Sequence, residues 1–260
     1  MSYDKNFTST GPVAFATISN TAVLNAGGTG TDSREYLHLQ RVEVGNSSGA
    51  AASCGFGYRL PDAMWKAGFW DDSETASYVE DTTDAQDAGT SDFAISTAAT
   101  NNDGYVIQSK VPFNIVNLVI GTAQNGAGTV EYNYWNGAWT TLPTIATPTV
   151  TSTGTVSLVF MKPVDWTALA AADAPVATDG LSTGYYAIRV RYTTAPATTA
   201  GLLTTLNLID LVDFVESVSD GTSAIKEFGD FRIPYRASLV PYCSVANAAN
   251  WVSVEYRQGS

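Results

Sequence analysis

Residues 129–142 read Thr129-Val130-Glu131-Tyr132-Asn133-Tyr134-Trp135-Asn136-Gly137-Ala138-Trp139-Thr140-Thr141-Leu142. Val130, Tyr132 and Tyr134 alternate with Glu131, Asn133 and Trp135, and this period of two predicts a β-strand. Asn136-Gly137 then separates Trp135 from Trp139. That dipeptide favours a tight hairpin because both residues tolerate positive φ. The two tryptophans bracket the turn, where their apolar faces can clamp the hairpin onto a second layer.

The same alternation recurs on both sides. Cys54, Phe56, Tyr58 and Leu60 alternate within Ser53–Leu60, and Val156, Leu158 and Phe160 form a strand closed by Pro163. Tyr186, Ile188, Val190 and Tyr192 point one way. Arg189 and Arg191 point the other, onto a solvated face or one paired with carboxylates. Val111–Ile120 is a nearly continuous apolar run, as expected of a strand buried on both faces. In Glu35–Gly45 the apolar positions switch from Leu37 and Leu39 to Val42 and Val44, which predicts a bulge. Residues 12–19 read as a short strand, and 231–256 as two or three more. Leu208, Leu211, Val212 and Val215 fit helical spacing, but the β-branched residues and threonines around them favour a strand over Leu202–Val215.

Composition agrees with an all-β chain. The 260 residues are 45% hydrophobic, 11% aromatic and only 15% charged, so the content that would mark an acidic disordered tail is absent. Good helix formers rarely cluster. With 25 acidic and 13 basic residues the net charge is −12, which would repel nucleic-acid phosphates. No apolar run approaches the ~18 residues of a membrane-spanning helix, and the first residues lack the pattern of a secretory signal. Neither nucleic acid nor membrane is therefore an expected partner. No fixed-period repeat indicates a propeller or solenoid.

Motifs for chemistry are sparse. Gly45-Asn46-Ser47-Ser48-Gly49 matches a nucleophile elbow in form, but His38, the single histidine, lies upstream and another strand follows. A loop between strands is the expected reading, with His38 an ordinary strand residue. Cys54 and Cys243 are the whole thiol inventory, too few for a multi-cysteine zinc site, and are expected to be free thiols in apolar strands. The acidic run Asp71, Asp72, Glu74, Glu80, Asp81, Asp84 and Asp87 lacks the ordered calcium loop with its central glycine, so solvated loop charge is expected. Asn6-Phe7-Thr8 and Asn46-Ser47-Ser48 match the glycosylation pattern, which has meaning only along a secretory route. No catalytic residue, metal or cofactor is assigned.

Residues of about 104–215 resemble a β-sandwich, jelly-roll-like module found in virion proteins of tailed bacteriophages, both baseplate and head-surface components. The resemblance rests on three ordered blocks: Glu131 to Leu142, then Lys162-Pro163-Val164-Asp165-Trp166, then Gly184-Tyr185-Tyr186-Ala187-Ile188-Arg189-Val190-Arg191. It covers under half of the chain. It implies a non-enzymatic structural protein of the virion, assembled in the host cytoplasm. Its partners would be the major capsid protein or other virion proteins, with copies of itself in a homo-oligomer, a trimer by preference. The acidic charge suits the outer head surface, and a decoration or cement protein, better than the DNA-facing lumen. A tail or baseplate component is the alternative within that class. In these modules the aromatic residues act as scaffold. The competing reading is a carbohydrate-binding module or adhesin in which Trp135, Trp139 or Trp166 stacks on sugars, and it requires at least one of these indoles exposed on a concave surface.

The flanks hold too few strands to stand alone. Residues 1–80 and 216–260 are therefore expected to form one smaller β-domain, with 81–103 a linker and 104–215 the inserted sandwich. A disulfide-compatible distance between Cys54 and Cys243 would support that arrangement, and a wide separation would count against it.

Overall fold

The computed structural model describes residues 8–9, 13–14, 24–25, 36–72, 78–90, 92–98, 100–171, 181–196, 198–233, 237–245 and 247–259. The chain is all-β, with antiparallel sheets stacked as sandwiches. It divides into two compact units, Met1–Pro61 with Ile209–Ser260, and Asp62–Leu208.

In the first unit Tyr36–Asn46 is central, flanked by Trp251–Gly259 and Thr222–Ile233. A second layer places Ala52–Arg59 between Ser238–Cys243 and residues 209–218. Leu39, Val42, Val44, Val252 and Val254 from one layer meet Cys54, Phe56, Leu239 and Cys243 from the other in a single core cluster. The expected bulge is present. Glu255 lies opposite Arg41 while Tyr256 lies opposite Leu39, so Gln40 is the extra residue and the buried face switches parity there. At Gly45 a Cβ would lie 2.1 Å from the Trp251 indole, so only glycine lets that ring cross the strand. Of the strand expected over 12–19, Val13–Ala14 is seen, pairing with Trp251 and Val252; the rest lies outside the described residues.

The second unit carries a six-stranded sheet in the order Trp139–Thr141, Thr129–Trp135, Tyr186–Thr194, Gly104–Ser109, Trp65–Trp70, Tyr78–Glu80. All six residues of Gly104–Ser109 are buried, as befits its central place. The facing layer contains Thr144–Ala146, Gly154–Phe160 and Ile115–Thr122, with Phe93–Ala94 paired to Leu202 and Leu203. Ile115, Val116, Asn117 and Leu118 are consecutive and fully buried, so this strand is covered on both faces. Among the described residues no helix is long and apolar enough to cross a membrane.

The boundaries differ from those expected at 80 and 216. Trp65–Trp70 pairs with Gly104–Ser109, which carries residues 62–80 into the second unit. At the other end the single strand Leu202–Val218 is divided, with Leu208 in one unit and Ile209 in the other. Residues 81–103 are not a linker. They contain a short helix, Thr82–Gln86, and Phe93–Ala94, anchored by fully buried Ala85, Phe93 and Ile95. The helix-like spacing near 208–215 comes from a strand whose register slips between Leu211 and Asp213 and again between Val215 and Val218. Each slip shifts the apolar residues by one position.

Candidate functional site

Strand alternation gives the six-stranded sheet of the second unit two distinct faces. Tyr132 lies opposite Val190, which lies opposite Tyr105; Val130 lies opposite Tyr192. Partners across a ladder share a face, so these residues stand together. The other face carries Glu131, Asn133 and Trp135 beside Arg191, Arg189 and Ala187.

That second face is closed. Trp135 and Trp139 meet edge to face at 5.4 Å, and Trp70 meets Trp139 at 6.2 Å. The Arg189 guanidinium lies 4.7 Å from the Trp139 ring and 5.3 Å from that of Trp70, and it donates to Asn133 Oδ1 at 3.2 Å. Leu169 and Leu181 complete the cluster. The face read as solvated or carboxylate-paired is thus an aromatic box around a cation. Arg191 donates to Asn102 Oδ1 at 2.8 Å.

The three tryptophans singled out from the sequence do not form a platform. Trp135 is 2% exposed and Trp166 8%, while Trp139 is half-buried under Arg189. Trp166 sits apart, among Phe113, Phe160, Tyr134 and Tyr186. Between these groups Asp165 accepts from the Tyr134 hydroxyl at 2.8 Å and from Asn136 Nδ2 at 2.9 Å. The hydrogen bonds from Asn136 and Tyr134 hold its carboxyl below the usual carboxylate range. The turn itself spans Asn136 to Ala138, with Trp135 opposite Trp139, and only Gly137 takes positive φ. Asn136 contributes through its side chain, which also accepts from Thr140 Oγ1 at 3.0 Å.

The tyrosine face is open at one end. A cavity of about 380 Å³ lies between Tyr105, Tyr132 and Tyr192 and the segment Thr147–Thr151. Burial, aided by the other phenols, pushes Tyr105 and Tyr192 well up, and burial alone carries Tyr132 to about 12. All three rings are therefore neutral hydroxyl-bearing walls at physiological pH. Gln124 braces the rim by donating to the carbonyls of Gly126 and Ala127, each at 2.9 Å. Sequence reading missed this site. The alternating tyrosines were visible, but nothing local marks which end of a sandwich stays uncovered.

Other candidates resolve individually. Cys54 and Cys243 lie directly opposite one another, both buried, with Sγ atoms 3.6 Å apart. The thiol of Cys54 donates to Cys243; that bond lowers the Cys243 pKa and raises that of Cys54. His38 is buried in Tyr36–Asn46, at the register position facing Arg232. Gly45–Gly49 turns from strand into strand. Asn46 donates to the carbonyls of Ala50 and Val218, and Gly49 N–H donates to Asp220. Asp81 is pushed up to about 6 by burial, then by its hydrogen bond with Asp84 and the charges of Asp84 and Asp92. Among the described residues no group of three His, Cys, Asp or Glu is arranged to hold a metal; Glu74 lies outside them, as do Asn6 and Phe7.

No protein-family model matches the chain, and no curated protein or solved structure is significantly similar to it.

Proposed function

We propose that this is a non-catalytic structural protein of a tailed-phage virion, docked on the outer head surface as a decoration or cement protein. The observation that carries the reading is an exposed terminal strand with apolar side chains beside it in the second unit. Thr144–Ala146 is the terminal strand of its layer, all three residues are exposed, and Ile145 presents 44% of its surface. Met161 and Val164, just beyond the partner strand, are 56% and 105% exposed. A short edge of this kind offers main-chain donors and acceptors to a strand of another protein, and the apolar neighbours supply burial. The resemblance over residues 104–215 supplies the class of partner, and the net charge of −12 suits an outer location.

Mass spectrometry of purified heads and separated tails tests the reading. Recovery with heads supports it. Recovery with tails transfers the protein to the baseplate alternative, and absence from both overturns the class. Ile145→Lys is expected to abolish retention on the particle while leaving the circular-dichroism spectrum unchanged.

A further inference from the structure

The open end of the tyrosine face has chemistry that the structural reading does not use. The loop 147–153 joins Thr144–Ala146 to Gly154–Phe160 and stands over the sheet at Tyr105, Tyr132 and Tyr192. The space, about 380 Å³, falls at the lower end of the range for small-molecule sites. A second depression of about 300 Å³ adjoins it, shares Val130 and Tyr132, and adds Glu131, Asn133 and Thr141.

The lining selects among ligands. Among the described residues that line the two depressions there is no lysine or arginine to offer an anion a counter-charge, and the net charge of −12 opposes an anion further. A wholly apolar molecule would strip water from the exposed hydroxyls of Thr147, Thr149 and Thr151 without replacing those hydrogen bonds. A ligand with apolar C–H faces and a hydroxyl-bearing edge satisfies both surfaces at once. Aromatic rings present an apolar face and a polar tip in the matching arrangement.

We propose that this groove binds a neutral saccharide. The half-buried Tyr132 ring supplies the stacking surface for one sugar ring. The threonine hydroxyls of the loop engage the hydroxyl-bearing edge of that ring. The tryptophans have no part in it. The assignment stands independently of the virion reading.

The full-length protein on an array of neutral and sialylated oligosaccharides tests this, with calorimetric titration of the neutral glycans retained. Binding is expected for neutral glycans only. Tyr132→Ala and Thr149→Trp are each expected to weaken it by roughly tenfold or more, while Tyr132→Phe, which keeps the ring, retains it within a few-fold. Thr149 is exposed at the cavity wall, so a tryptophan there fills the cavity from outside the core; it decides the matter if Tyr132→Ala unfolds. A silent array, equal binding of sialylated glycans, or full affinity in Thr149→Trp would overturn the proposal.

Discussion

The two units build their interiors from different material. The first is largely aliphatic: leucines and valines surround two facing cysteines, Phe56 meets Phe228 edge to face among them, and both ends of the chain contribute strands to its layers. The second is aromatic, and five of the six tryptophans belong to it. In the first, leucines and valines from both layers meet Phe56 and the cysteine pair in one cluster. In the second, large rings close one face of a sheet around Arg189 and leave a cavity on the other beside Tyr132. Large rigid side chains fill a layer only where another segment supplies matching surface; where the layer ends they leave space.

The largest effect should come from breaking the closed aromatic face. Trp135→Ala removes a fully packed indole and is expected to cost about 3 to 5 kcal/mol, read by urea denaturation through the remaining tryptophans. Tyr132→Ala, on the open face, should cost about 1 kcal/mol. Equal losses would erase the distinction between the two faces.

The cysteine pair tests the first unit. Ser244 N–H donates to the Ser53 carbonyl, so Cys54 and Cys243 occupy the adjacent non-hydrogen-bonded pair, where Cα atoms approach to about 4.5 Å, within disulfide reach. Under mild denaturant, oxidised glutathione should take two electrons from the thiols, whose two protons pass to the glutathione released. The cross-linked protein is expected to gain about 2 to 4 kcal/mol. Intact mass under non-reducing conditions should show the loss of two hydrogens, and Cys54→Ser should show neither change.

Arg189→Ala is expected to cost about 2 kcal/mol through lost stacking on Trp70 and Trp139. Arg189→Met, which keeps an unbranched stem between the rings, should recover at least half of that in the same urea titration. An unchanged midpoint in the alanine variant would mean that the cation adds nothing to the box.

The smallest effect belongs to Asp81. Because its carboxyl is held up to about 6, the folded state binds that proton more tightly than the unfolded chain does. Its contribution to stability is therefore present at low pH and is lost as pH rises from about 4 to about 6. Asp81→Asn should flatten thermal stability across that window, by under about 1 kcal/mol given partial exposure. A slope retained in the variant would assign it to other groups.

Much of the fold was legible locally. The bulge at Gln40 was visible in the switch from Leu39 to Val42, and the hairpin in Trp135 to Trp139. Residues 81–103 were not, because their anchors, Ala85, Phe93 and Ile95, are isolated in a polar background with no period to reveal them. Arg189 was misplaced for a related reason. Alternation put it correctly on the face opposite Val190, yet the rings that cover it come from residues 70 and 139.

By itself, then, the sequence determined that the chain is built of strands and on which side of each strand a residue lies. The pleat couples neighbouring side chains at fixed intervals. Only the tertiary structure decided which face is sealed, which stays open, and that Cys54 meets Cys243 across 189 positions. Coverage depends on segments remote in the chain, and no local pattern encodes their arrival.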